Sequence, residues 1–349
     1  MSYKSLRNCL IYSFLFGSLL VFQEAGAQVP RTDLDNIVNV KAKALKTDAV
    51  LVVASKDTTL YTKDSKLFSA LRGQAPIGSS SQLLTTALIL QLADEGKLSL
   101  DDKVAAYLPV FEKYGKNYIT IRHCLTHQAG IQADEKMKLF NRKKEGSLEE
   151  EVASFAAREI QTNPGTEYRY TEMGFVIAAR IAEVVTKKKF DMLVQQKLLR
   201  PLGMRQTSFS TLDGSAPNPA SGARSSAADL TRFLRMLLNE GTHNGQKILS
   251  PGSVAELRKV YGTASALKGS PKGSEGMDYA LGVWAPETAS GGTAVVLAEP
   301  SFGGTIPVVD FCRGYAFVFL VKDLSEAPHI DVYTAIKAEL DNAYPSTCK

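Results

Sequence analysis

Between residues 33 and 45 apolar side chains recur at Leu34, Ile37, Val38, Val40 and Leu45, close to the spacing of one helix face, so an opening helix is predicted. Residues 49–54 form an apolar run rich in β-branched side chains, Ser55-Lys56-Asp57 reads as a turn, and 58–61 returns, which predicts a hairpin. From 80 to 95 the period becomes helical again, with Leu83, Leu84, Ala87, Leu88, Ile89, Leu90 and Leu92 apolar over more than one face. Such a helix is expected to be central and buried, and Gly96 to close it. The middle of the chain is helical punctuation: 121–127 ending at Gly130, a capping box of Ser147 with Glu150, a helix after Thr171, and Pro201-Leu202-Gly203. Beyond Gly241 strand-like runs dominate at 279–284, 294–298 and 315–322, before a last amphipathic helix at 331–340. Two strand-rich ends around a helical middle imply one α/β layer built from residues 28–78 and 242–349, with a helical lobe, 79–241, packed on one side.

The first 27 residues fit none of these patterns. Lys4 and Arg7 precede an apolar stretch from 9 to 22, and Ala25-Gly26-Ala27 follows with the small-x-small pattern of a cleavage site, so a signal peptide is expected. At about fourteen residues, Ser13 and Gly17 among them, the stretch is short of the roughly twenty that span a hydrocarbon core. The mature chain is therefore expected to begin near Gln28, without a membrane anchor, and to be periplasmic or secreted. In an oxidising compartment Cys312 and Cys348 are candidates to tie the chain end to a late strand, while Cys124, in an apolar helical pattern, reads as buried.

Composition changes the picture only by exclusion. The 349 residues are 44% apolar and 22% charged, which rules out disorder, and 41 Lys plus Arg against 36 Asp plus Glu is too even a balance for a nucleic-acid groove. The longest basic run, Lys187-Lys188-Lys189, reads as a solvated helix end.

Candidate chemistry begins at Ile77-Gly78-Ser79-Ser80-Ser81-Gln82, ahead of the buried helix. Together with Glu95-Gly96-Lys97-Leu98-Ser99-Leu100-Asp101-Asp102 and Tyr107-Leu108-Pro109, it resembles the active-site helix of the class C β-lactamase and penicillin-binding serine hydrolase family. Ile119-Thr120-Ile121-Arg122-His123-Cys124-Leu125-Thr126-His127 with Gly130, Pro164-Gly165-Thr166, Pro201-Leu202-Gly203-Met204 and the stretch 225–233 fall in that family's order. The resemblance covers most of the chain after residue 27. It implies an α/β (α+β) fold of the β-lactamase/transpeptidase kind: an antiparallel sheet flanked by N- and C-terminal helices, with an inserted all-helical lobe.

The same resemblance implies three catalytic motifs, and each is altered. Ser79 matches the nucleophile of Ser-x-x-Lys, with Gln82 where the Lys belongs. Residues three apart on a helix share a face, so an amine there could take the serine proton, whereas a neutral amide is far too weakly basic. Tyr170-Thr171-Glu172 stands for Tyr-x-Asn, with Glu172 in place of the Asn; Ser301-Phe302-Gly303 stands for the Lys/His-x-Gly strand, with Ser301 in the cationic position. The oxyanion hole the family implies, the backbone N–H groups of Ser79 and Gly304, does not depend on side-chain identity. Cations are lost and an anion is gained, which disfavours carboxylated substrates such as β-lactams and D-alanyl peptides. Plainer roles are open as well: Ser79 suits a helix N-cap, and Glu172 suits a carboxylate capping the next helix.

His123 and His127, four apart, have the spacing of a two-histidine metal site, but no Glu follows His123 and no third ligand is evident, so no metal is expected. No phosphate-cradling or dinucleotide fingerprint is present, and no cofactor is expected. The leading expectation is an exported protein of serine-hydrolase fold with a degraded site, acting as a binding or regulatory module. The alternatives are a working esterase or amidase using Ser79 with Tyr170 or Glu172 as base, and an envelope protein-binding module with an unspecified partner. A small ester, amide or peptide ligand fits the first two.

Overall fold

The computed structural model describes residues 29–65, 73–133, 146–211, 213–300, 304–323 and 329–348; the expected leader and Ser301 lie outside them. Seven strands form one sheet: β1 (Ala49–Ser55), β2 (Thr59–Asp64), β3 (Asp278–Tyr279), β4 (Trp284–Ala289), β5 (Thr293–Ala298), β6 (Ile306–Asp310) and β7 (Tyr315–Val321). Their order is β2-β1-β7-β6-β5-β4-β3, and every neighbouring pair is antiparallel. The first hairpin thus joins a sheet whose other strands come from the far end of the chain, with Val52 opposite Val318 at the seam. That is the antiparallel α/β arrangement the resemblance implied.

Alternation along the strands divides the core in two. Leu51, Val53, Phe317 and Phe319 face α1 (Arg31–Leu45) and α7 (Ile330–Ala343), where Leu34, Val38, Ile336 and Leu340 meet them. Val50, Val52, Val318 and Leu320 face the other way, towards α2 (Ser81–Asp94) and α6 (Ala227–Leu238). Because α2 lies between that face and the rest of the helical segment, it is apolar all round and nearly all of its residues are buried. Removing the fully buried Leu88 side chain (Leu88→Ala) is expected to cost about 2–5 kcal/mol. Gly96, at φ +68, follows the last turn of α2, and the N–H of Lys97 closes onto the Leu92 carbonyl.

Several boundaries differ from the sequence reading. In α1 the buried stripe is Leu34, Val38 and Ala42, and Val40 stays exposed because it falls on the opposite face. The run 279–284 is not one strand: Gly282 turns it at φ +76, and any Cβ there would lie 2.1 Å from Thr86 Oγ1 on α2. The helix foreseen over 121–127 is α3 (Ile121–Leu125), and it stops before His127, which takes a left-handed φ of 55°. Helix α4 (Leu148–Ala156) begins as expected, with Ser147 accepting from the Glu150 N–H, while the Glu150 carboxylate accepts from Gly146. Among the described residues of 79–241 the elements are helices joined by loops, with two-residue strands at Tyr168–Arg169 and Arg224–Ser225. Lys187–Lys189 is exposed at the end of α5 (Met173–Thr186). Cys312 and Cys348 are joined, Cys124 is buried and free, and among the described residues no helix is long and apolar enough to cross a membrane.

Candidate active site

Three consecutive serines open α2, and their surroundings separate them. Gly78, at φ +52, starts a single tight turn, Gly78–Ser80, that feeds the helix. Ser81 turns inward, donating to the Gly78 carbonyl at 2.6 Å and accepting from the Ala223 N–H. Ser80 reaches the carbonyl of Thr305 at 3.4 Å, which fastens the start of α2 to the entrance of β6. Ser79 pairs with Tyr170. It is buried and lies inside the tight turn, so it is not the N-cap of α2; that position belongs to Ser80.

One turn along α2, Gln82 takes the place the resemblance reserves for an ammonium. It is 1% exposed and its amide is used at both ends: Nε2 lies 2.8 Å from Tyr170 Oη, and Oε1 lies 3.3 Å from Tyr279 Oη. Tyr279 ends β3 and also meets Nε2 of His127 at 2.9 Å. His127 in turn accepts the Thr171 N–H at Nδ1. Burial drives the His127 pKa down to about 3, so the imidazole is neutral. Its ring centroid lies 4.4 Å from that of Tyr170 and 5.0 Å from that of Tyr279, and Trp284 stacks on Tyr170 from farther out.

The charges that act most strongly on Tyr170 are carboxylates. Burial first, then Glu299 and Glu172, push its pKa well above the usual phenol value, against the hydrogen bonds from Gln82 and Ser79. Glu172 sits at the N-cap position of α5 but makes no side-chain capping bond; its Oε2 instead accepts from Asn218 Nδ2 at 2.8 Å. Asn218 is itself held, its Oδ1 accepting the N–H groups of Ala220 and Ser221. Glu172 thus stands at the helix end as the capping reading had it, but its carboxylate is engaged by Asn218 and makes no capping bond.

Gly304 precedes β6 at φ +80, and a Cβ there would come within 2.7 Å of Val321 and 3.0 Å of His329, so glycine is required. The bond from Ser80 to Thr305 brings this segment to the start of α2, beside Ser79. The structure thus gathers Ser79, Gln82, Tyr170 and Glu172 around one phenol and brings the Gly304 segment to their edge. It does not make a pair of His123 and His127. His123 Nδ1 accepts the Thr120 N–H inside the cap of α3, and His127 lies beyond the helix end. Among the described residues no group of three or more His, Cys, Asp or Glu is placed to hold a metal ion.

Sequence reasoning missed Glu299, Tyr279 and the true place of His127. Glu299 is 1% exposed, one residue past β5 and two before Ser301; a carboxylate flanking the third motif was the available signal. Tyr279 and His127 carried none, because each reads as an ordinary core residue until the fold brings them to Gln82.

The profile of the Beta-lactamase family matches residues 49–340. Among curated relatives, penicillin-binding protein 4 of Amycolatopsis lactamdurans is 30% identical over 213 residues, covering 52% of this chain and 55% of that protein. Protein flp of Staphylococcus aureus (strain N315) is 29% identical over 162 residues, 46% of this chain and 32% of that one. The chain thus spans only about a third to a half of the length of these relatives. Among solved structures, a candidate β-lactamase from Bacteroides dorei DSM 17855 superposes with a TM-score of 0.79 at 23% identity, over 90% of this chain and 100% of that one. The match along nearly the whole sheet and helical segment, around a serine at the start of a buried helix, makes this chain a member of the β-lactamase family.

Proposed function

We propose that this chain is an exported β-lactamase-fold protein whose serine is not activated, and that it acts as a binding or regulatory module. One observation carries the reading: the position of the general base is filled by the buried Gln82 amide, already hydrogen-bonded to Tyr170 and Tyr279. Loss of such a base costs on the order of a millionfold in rate in comparable catalytic units. Export rests on the basic, apolar and small-residue pattern of the first 27 residues.

The carboxylates support a preference for uncharged or cationic groups over carboxylated ones. Two unit charges about 4 Å apart interact by about 4 kcal/mol at an effective dielectric of about 20. With Glu172 and Glu299 beside Tyr170, that contribution opposes an anionic substrate. The test is incubation of the purified protein with a fluorophosphonate probe and with labelled penicillin. No stoichiometric adduct is expected; rapid, Ser79-dependent acylation of the wild type would overturn the reading.

The pairing of Ser79 with Tyr170, itself flanked by carboxylates, favours a second reading, a slow hydrolase of uncharged esters or amides. Tyr170 or Glu172 would then serve as the base that takes the Ser79 proton. Turnover of short-chain nitrophenyl esters should then vanish in Ser79→Ala and fall sharply in Tyr170→Phe. Full activity in Ser79→Ala removes this reading.

A further inference from the structure

We infer that His127, acting through Tyr279, is the positioning residue that fixes the direction of the hydrogen bonds around Gln82 and holds its amide as a donor to Tyr170. The chain of contacts starts at a group with only one possible role. The backbone N–H of Thr171 can only donate, and it lies 3.3 Å from His127 Nδ1. Nδ1 is therefore the bare nitrogen of a neutral imidazole, and the hydrogen is on Nε2. Nε2 donates to Tyr279 Oη at 2.9 Å, so the Tyr279 hydrogen goes to the other neighbour, Gln82 Oε1, at 3.3 Å. With Oε1 taken, Gln82 presents Nε2 to Tyr170 at 2.8 Å.

All four bonds run in one sense, from Thr171 towards Tyr170. The Tyr170 oxygen receives, so its own hydrogen points away from Gln82. Turning the Gln82 amide over would set its Nε2 hydrogens against the Tyr279 hydroxyl hydrogen, which would lose its acceptor, and would reverse the bond to Tyr170, whose hydroxyl would then donate to Gln82. Gln82, His127 and Tyr279 are all at most 2% exposed, so solvent does not repair such a mismatch. The left-handed turn at His127 is what aims the ring, and its carbonyl accepts the Arg169 N–H at 2.8 Å, drawing the segment that carries Tyr170 alongside.

An oxygen that already accepts from Gln82 is a poorer acceptor for the Ser79 proton. The block at Ser79 is thus maintained by an array and not by one substitution alone. This deepens the reading of an unactivated serine and rests on it for its functional meaning.

The test is nitrogen NMR of the full chain with labelled histidine and glutamine. His127 is expected as the neutral Nε2–H tautomer from about pH 5 to 8. The Gln82 side-chain amide is expected to exchange slowly in the wild type and at least about tenfold faster in Tyr279→Phe, which removes one oxygen and keeps the ring. His127→Asn, whose residue tolerates the left-handed backbone but does not reach Tyr279, should give the same acceleration. An Nδ1–H tautomer or an imidazolium in the wild type overturns the proposal, as does unchanged Gln82 exchange in folded Tyr279→Phe. If His127→Asn fails to fold, the tautomer and Tyr279→Phe still decide. The same sample is then treated with fluorophosphonate. An adduct with the expected tautomer removes the unactivated-serine reading and keeps the array; no adduct with the wrong tautomer does the reverse.

Discussion

The Nε2 of Gln82 lies 2.8 Å from the phenol oxygen of Tyr170, so an amide hydrogen occupies the contact in which the family would place an ammonium. Both groups donate there, but only the ammonium can lose a proton and return as a base near neutral pH.

Restoring chemistry is expected to need more than Gln82→Lys. A lysine beside Tyr170 would face Glu172 and Glu299, and nearby carboxylates hold an ammonium in its charged form. The triple variant Gln82→Lys, Glu172→Asn, Ser301→Lys should acylate with labelled penicillin at least about tenfold faster than Gln82→Lys alone, about one pKa unit's worth of base. Equal rates in gel-based labelling would remove the carboxylates from the account.

Gly304→Ala is expected to destabilise the fold by about 1–3 kcal/mol from the left-handed backbone alone, with more added by the contact with Val321. Gly96→Ala is its control: φ is +68, yet nothing lies within 4 Å of the added carbon. Urea denaturation of the two variants should therefore show a clearly larger loss at Gly304.

Acid should weaken the fold through His127. Its pKa is about 3 in the folded state against 6.5 for an ordinary histidine, so below pH 6.5 the unfolded chain binds a proton that the folded chain refuses. Stability falls as pH drops from 6.5 towards 3, by about 1.4 kcal/mol per unit, and nothing is gained or lost above 6.5. His127→Asn should flatten that limb of a stability-against-pH curve measured by chemical denaturation; an unchanged slope would mean that His127 is charged or exposed.

Cys348→Ser opens the closure between residues 36 apart and is expected to cost about 3–4 kcal/mol on the chain-entropy account. Thr347 still donates to the Cys312 carbonyl through its N–H and hydroxyl, so the tail should stay docked. Thermal unfolding with and without reductant checks both: reductant should lower the wild-type midpoint and leave that of Cys348→Ser unchanged.

Local order was legible wherever periodicity reported burial. The run 49–54 is strand because branched side chains fill both faces of a central β1, and 81–94 is helix with no polar face because α2 lies between the sheet and other helices. The spacing of Ser79 and Gln82 placed both on one turn, and Tyr170 was identified by its position after Pro164-Gly165-Thr166. Reading failed where a distant contact decided. Gly282 breaks a strand-like run because Thr86 leaves no room for a side chain, and Glu172, at the N-cap position of α5, makes no capping bond while Asn218 reaches it from 46 residues away.

What the chain determined by itself is the family, the order of its elements and the substitution of an amide for an amine, since these are properties of residue type and local spacing. What only the tertiary structure decided is the company Gln82 keeps. His127, Tyr170, Tyr279 and Glu299 come from four separate stretches, and their hydrogen bonds and charges depend on approach within a few ångströms and on the exclusion of water, neither of which a linear pattern encodes.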